Sequence, residues 1–169
     1  MFDPALLVRA ETLLESLRRR RLKLATAESC TGGLIAGLLT EIAGSSDVVE
    51  RGFVVYSNEA KTSLLGVPAN VIDIHGAVSE ACARSMAEGA LNNSLADIAV
   101  SVTGIAGPGG GSPEKPVGLV HFSCASTGGE TNHRRFIFAH ADRHEVRMKS
   151  VKAALDLIES QFKAATRLA

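Results

Sequence analysis

Leu22-Lys23-Leu24-Ala25-Thr26-Ala27-Glu28-Ser29-Cys30-Thr31-Gly32-Gly33-Leu34-Ile35 is the stretch around which the rest of the chain organises. Residues 22–27 read as a short buried strand. An apolar helix follows and runs through Ile42, and Gly44 supplies its stop, since glycine enters the left-handed region without steric cost. A strand that turns directly into a helix is the opening unit of an α/β sheet.

Working outward, residues 4–20 read as an amphipathic helix, with Leu6, Leu7, Leu13, Leu14 and Leu17 near helical spacing. It ends in Arg18-Arg19-Arg20-Arg21, where positive charge complements the C-terminal dipole. Downstream, 51–57 reads as a second strand, 58–65 as a short helix, and 68–77 as a connection. Ser79 caps a helix running to about Leu91. The apolar run 98–103 ends in Gly104-Ile105-Ala106-Gly107-Pro108-Gly109-Gly110-Gly111. Residues 117–125 and 133–139 read as two strands joined across Thr127-Gly128-Gly129-Glu130. Asp142 begins the last helix, which carries Val146, Val151, Leu155 and Ile158 on one stripe. Strand–helix units followed by a late hairpin predict an α/β fold, a single three-layer α/β/α domain over 1–169 with a mixed sheet between helices.

The totals bound the function. Lys plus Arg equals Asp plus Glu at 18 each, so no global field recruits nucleic acid or an anionic membrane. Three cysteines, Cys30, Cys82 and Cys124, are too few and too scattered for a disulfide framework and fit a reducing compartment. The start, Met1-Phe2-Asp3-Pro4, lacks the basic and apolar character of a signal peptide, and no apolar run approaches the ~20 residues that span a bilayer. The expectation is a cytoplasmic protein acting on a small molecule, without nucleic acid, membrane or cofactor.

Ser29 stands where the strand feeds the helix. Free N–H groups of a helix start point outward with partial positive charge, so a hydroxyl there can attack a carbonyl while they hold the oxyanion. Gly32 and Gly33 let a substrate approach the backbone. Serine in that place also serves as an ordinary N-cap, and Cys30 is a rival nucleophile. No histidine stands in a context that marks a serine triad, although triads assemble in space. Lys61, directly after Phe53-Val54-Val55-Tyr56, can act as base if desolvation lowers its pKa; an exposed helix lysine is the plainer reading. Tyr56 either relays a proton or orients Lys61, or fills core volume. The 104–111 loop can turn backbone N–H groups towards an anion, although a flexible turn is the plainer reading of its glycines; Arg143 can grip a phosphate or another substrate oxygen, or pair with a surface carboxylate; Thr31 and Ser46 can add hydrogen bonds or merely cap their helices. His140 and His144 have the spacing of metal ligands on a helix, but Asp142 between them begins the helix and no third ligand is obvious, so no metal site is expected.

Taken together, the run from Thr26 to Gly33 resembles the signature of the CinA C-terminal-domain family, which includes the stand-alone nicotinamide-nucleotide amidases. The resemblance continues through Ile42-Ala43-Gly44-Ser45-Ser46, 51–61, His75-Gly76-Ala77-Val78-Ser79-Glu80, 103–108, Gly110-Gly111-Ser112, 114–118 and Asp142-Arg143. It implies hydrolysis of nicotinamide mononucleotide to nicotinic acid mononucleotide and ammonia, without metal, in pyridine-nucleotide salvage, by a homodimer. It implies Ser29 as nucleophile and Lys61 as base, with Tyr56 and Ser46 nearby. The substrate contacts expected are Thr31, Gly32, Ser46, Thr103, Gly104, Ala106, Gly107 and Arg143. The molybdopterin-binding-like domain that many relatives carry is not part of this sequence, which looks like the stand-alone form. Two departures stand out: Thr103 where some relatives have serine, and Gly109 where an acidic residue can occur. A non-catalytic pyridine-nucleotide or ADP-ribose-binding module, and a DNA-linked adaptor, are the competing readings.

Overall fold

In the computed structural model, which describes residues 2–166, helix α1 (Pro4–Arg19) precedes strand β1 (Leu24–Glu28). There follow α2 (Leu34–Thr40), a 3-10 turn (Ser45–Asp47), β2 (Val49–Val54) and three helices, α3 (Asn58–Leu65), α4 (Ala69–His75) and α5 (Glu80–Asn92). Strands β3 (Ile98–Gly104), β4 (Leu119–Ser126) and β5 (Asn132–Ile137) come next, and α6 (Arg143–Thr166) ends the described chain.

The five strands form one mixed sheet in the order β2-β1-β3-β4-β5. β1 runs parallel to both β2 and β3, while β3–β4 and β4–β5 are antiparallel. All five residues of β1 are buried, as befits a strand with neighbours on both sides and helices on both faces. One face carries the larger core, where Leu13, Leu14 and Leu17 of α1, Leu38 of α2 and Leu155 and Ile158 of α6 pack on Val100, Val102 and Phe122. The other face carries Ala25, Ala27, Leu65, Met86 and Ala99 beneath α3 and α5. The expected helix–sheet–helix layering is what the chain forms. Each fully buried leucine in these layers contributes roughly 1.5–3 kcal/mol relative to exposure.

The sheet order locates the site. β1 leads into β2 on one side, and the chain then crosses back over the opposite face to enter β3 on the other side of β1. The carboxyl ends of β1 and β3 therefore flank the point where the winding reverses, and a crevice opens there in sheets of this kind. Ser29 follows β1 directly and Gly104 closes β3.

Several boundaries differ from the sequence expectations. The connection expected over 68–77 contains α4, bracketed by Pro68 as N-cap and by Gly76 at a φ of 79°. None of its residues is fully buried, so it has no core stripe for periodicity to reveal. β2 starts at Val49 and ends at Val54, earlier than 51–57, because Ser57 is taken up as the N-cap of α3. α2 ends at Thr40 rather than Ile42, and Gly44, left-handed at a φ of 76°, precedes the 3-10 turn.

Candidate active site

Ser29 extends the β1–β3 pairing by one step, since its N–H donates to the Val102 carbonyl at 3.0 Å. The backbone then turns sharply, with Gly32 N–H donating to the Ser29 carbonyl at 3.0 Å. Gly32 and Gly33 have φ of 60° and 93°, a region that side-chain-bearing residues rarely adopt. Ser29 does not cap α2: the N-cap is Gly33, and no N-cap side chain accepts there.

The capping role falls to Glu28, which the sequence reading did not single out. Its carboxylate is 1% exposed and accepts from the N–H groups of Gly33 (3.1 Å), Ile35 (3.0 Å) and Ala36 (2.8 Å), and from the Thr26 hydroxyl at 3.2 Å. A buried carboxylate needs such donors. The consequence corrects an expectation: three N–H groups at the start of α2 are committed to Glu28 and are not available to an oxyanion.

Lys61 comes from α3, whose entry is fixed by Ser57 accepting from Ala60 N–H at 3.0 Å and whose exit is Gly66 in the left-handed region. The side chain is 1% exposed and turned towards the end of β1. Its Nζ lies 3.1 Å from Ser29 Oγ, 3.0 Å from the Val55 carbonyl, and 3.4–3.5 Å from the carbonyls of Ser57 and Tyr56. Among the described residues no carboxylate pairs with it, and burial holds its pKa below the ordinary lysine value against opposing pulls from Cys82, Cys30 and Glu59. A neutral amine in this place has two N–H bonds for the carbonyls and a lone pair for the serine proton.

Cys30, beside Ser29, is pushed up to about 12 by burial, so it stays a thiol at neutral pH. Tyr56 does not fill core volume. It is 60% exposed, its hydroxyl accepts from Arg143 Nη2 at 3.1 Å, and its backbone carbonyl, not its ring, faces Lys61. Arg143 opens α6 and its Nη1 donates to the Gly107 carbonyl at 2.7 Å. Its place is set by a capping box, in which Asp142 accepts from Glu145 N–H and Glu145 accepts from Asp142 N–H, both at 2.8 Å.

These groups line a pocket of about 280 Å³, floored by Ser29 and Cys30, walled by Tyr56 and Arg143, and closed by the glycine-rich loop from Gly104 through Gly110. Hollows of about 410 and 450 Å³ elsewhere on the surface are wider, but the hydroxyls of Thr12 and Ser16 in the first donate to carbonyls of their own helix, and the second is lined by no serine, threonine or cysteine. Gly104 is required by packing, since a Cβ there would lie 2.7 Å from Val120 Cγ2 and 2.8 Å from the Leu119 carbonyl. Gly109 is not: a Cβ there meets nothing within 4 Å, so an acidic side chain would project freely.

Of the expected contacts, Gly104, Ala106, Gly107 and Arg143 line the pocket. Four others do not. Thr103 is 1% exposed and donates its hydroxyl to the Ala77 carbonyl at 2.8 Å, tying β3 to the start of α5. Thr31 is fully buried, and Gly32 is exposed but does not line the pocket. Ser46 is exposed in the 3-10 turn before β2, which pairs with the start of β1, at the end of the sheet away from Ser29.

His140 precedes α6 with a φ of 59°, while His144 lies within the helix, and no group of three or more His, Cys, Asp or Glu among the described residues could hold a metal ion. Sequence reasoning also missed a histidine pair under α5. His121 Nδ1 and His133 Nε2 lie 3.0 Å apart, and burial pushes His121 down to about 4. No helix among the described residues is long and apolar enough to cross a membrane.

The CinA C-terminal domain family model matches residues 8–162. The nicotinamide-nucleotide amidohydrolase PncC of Escherichia coli K12 is 49% identical over 162 residues, 96% of this chain and 98% of that protein. A CinA-like protein of Akkermansia muciniphila is 52% identical over 148 residues, covering 87% of this chain. The chain spans only 36% of the length of that relative, a little over a third, as with other curated CinA-like proteins it matches. The crystal structure of the competence/damage inducible protein CihA from Agrobacterium tumefaciens superposes with a TM-score of 0.93 at 48% identity, over 95% of this chain and 97% of that one.

Proposed function

The chain belongs to the CinA C-terminal-domain family, and from that premise we propose that it hydrolyses the carboxamide of nicotinamide mononucleotide to a carboxylate and ammonia, with Ser29 as nucleophile and Lys61 as base. The observation that carries the chemistry is the 3.1 Å approach of a buried lysine amine to the serine hydroxyl at the floor of a pocket.

In this reading neutral Lys61 takes the Ser29 proton as Oγ attacks the carboxamide carbon. The resulting ammonium returns the proton to the departing nitrogen, the C–N bond breaks, and ammonia leaves an ester on Ser29. Water then adds to the ester as Lys61 takes its proton, and Lys61 returns that proton to Oγ as the Oγ–carbon bond breaks, giving the acid, free serine and a neutral amine. Each turnover consumes one water and releases one ammonia. The Val55 and Ser57 carbonyls hold the lysine in place through the cycle and accept from the ammonium while it is charged. Arg143, at the pocket wall and without a carboxylate partner among the described residues, contributes the cation that an anionic nucleotide needs. In a cell this reaction serves pyridine-nucleotide salvage, and the chain works as a homodimer.

The test is ammonia and acid production from nicotinamide mononucleotide by the wild type, Ser29→Ala and Lys61→Met. Loss of turnover in both variants, with folding intact, is the expected result. Undiminished turnover in Ser29→Ala refutes the assignment. Tight nucleotide binding by the wild type with no product would favour the binding-module reading instead.

A further inference from the structure

Arg147 lies one helical turn beyond Arg143 on α6, and residues four apart share a helix face. Arg143 holds the glycine-rich loop through the Gly107 carbonyl; Arg147 holds the opposite wall, since its Nη2 donates to the Thr31 carbonyl at 3.0 Å, two residues after Ser29. A Cβ on Gly32 would lie 3.6 Å from the same Nη2, so the guanidinium packs directly behind the turn. Among the described residues its buried Nε has no hydrogen-bond partner, and neither has the hydroxyl of Thr31.

The charge of Arg147 is also unmatched. It makes no ion pair among the described residues, and its field reaches the Cys30 thiol, where it pulls against the larger effect of burial. Glu28, the buried carboxylate of the same turn, is saturated by three N–H groups and a hydroxyl. A partly buried cation with no counter-ion and an unused donor is costly to a fold, and the same charge stabilises negative charge that develops beside it. Here negative charge has to be met without the N–H groups that Glu28 occupies.

Resting on the reading of Ser29 as nucleophile, we propose that Arg147 is a positioning residue for acyl transfer: it pins the Ser29–Thr31 turn against α6, and its unpaired charge favours the negative charge that forms on the acyl oxygen. It acts through the turn, not by touching substrate.

The experiment measures kcat and KM separately for nicotinamide mononucleotide in Arg147→Met and Arg147→Lys, with thermal unfolding of each. Arg147→Met is expected to lose about 10²-fold in kcat, the scale of a nucleophile displaced by about 1 Å, with KM within about twofold. Arg147→Lys, which keeps the charge and a donor, is expected to regain about tenfold of that loss. If the methionine variant does not fold, Arg147→Gln replaces it under the same thresholds. A kcat within about threefold of wild type in the uncharged variant, or no recovery with lysine, overturns the proposal. Ser29→Ala is assayed alongside: turnover in that variant sinks the catalytic reading itself, whereas an inert Ser29→Ala with an unimpaired Arg147→Met sinks only this inference.

Discussion

Lys61→Met isolates the buried amine from the stem that carries it, and its effect on stability has a sign that the structure fixes. Methionine fills a similar volume, so the apolar part of the side chain keeps its packing in α3 against the end of β1. The Val55 and Ser57 carbonyls lose a donor, a cost of roughly 1–3 kcal/mol for a buried unsatisfied group. Against this, the wild type bears the desolvation of an amine that is 1% exposed and has no carboxylate partner among the described residues. The two nearly cancel, and at pH 7 the variant is expected within about 2 kcal/mol of wild type. The pH dependence is more telling. Burial lowers the Lys61 pKa in the folded state, while in the unfolded chain it returns to 10.5. Between those values the unfolded chain binds the extra proton, so wild-type stability rises with pH, by up to about 1.4 kcal/mol per pH unit for one proton. Below the lowered pKa both states are protonated and the slope vanishes; above 10.5 both are neutral. Urea titrations of wild type and Lys61→Met at several pH values above 7 should show the wild type gaining on the variant as pH rises. Activity should climb through the same lowered pKa, because the neutral amine is the base. A stability difference that stays constant across that window would refute the account of Lys61 as a buried, destabilised cation.

Glu28→Gln replaces an acceptor of four hydrogen bonds by a group whose nitrogen can only donate, and it should cost about 2–4 kcal/mol in urea unfolding, with amide exchange speeding up at the start of α2. Gly89→Ala forces a Cβ to within 2.0 Å of the Leu65 carbonyl where α5 crosses the end of α3. Calorimetry should show a loss of about 2 kcal/mol or more, and kcat should fall with it as α3 shifts Lys61. Phe122→Ala, from a fully buried position on β4, should lose about 3–5 kcal/mol while KM stays near wild type, because it sits in the core and not in the pocket. Tyr56→Phe removes an exposed hydroxyl bonded to Arg143 and should leave the unfolding midpoint unchanged within about 0.5 kcal/mol. Any effect on turnover will then appear in KM for the nucleotide.

The parts of the fold that were legible are those whose residues satisfy their requirements locally. β1 is readable because both its faces are buried, α5 because Ser79 caps it and accepts from Cys82 N–H, and α6 because Asp142 and Glu145 reciprocate within one turn. α4 was missed although Pro68 and Gly76 bracket it, since a helix with no buried residue leaves no stripe to count. In the candidate site the same division holds. That Ser29 follows a strand is local information. That Lys61 comes within hydrogen-bonding distance of it depends on the β1–β2 register and on where α3 lies over the sheet, and the pairing was expected only from resemblance. Thr103 and Ser46 were named from the same resemblance, yet within this chain one hydroxyl is spent on the Ala77 carbonyl and the other lies at the far end of the sheet.

Glu28 and Arg147 were silent for a different reason. Each acts on backbone groups, an acceptor for the N–H groups of α2 and a donor to the Thr31 carbonyl, and backbone partners carry no residue-type signal. A glutamate before a serine reads as a surface charge, and an arginine in a terminal helix reads as solvated. Only burial distinguishes them, because a charge removed from water must find its partners in the chain or await one from a ligand. Glu28 has found all of its partners. Arg147 has found one, and that difference separates a residue that holds the turn from one whose charge still has something to meet.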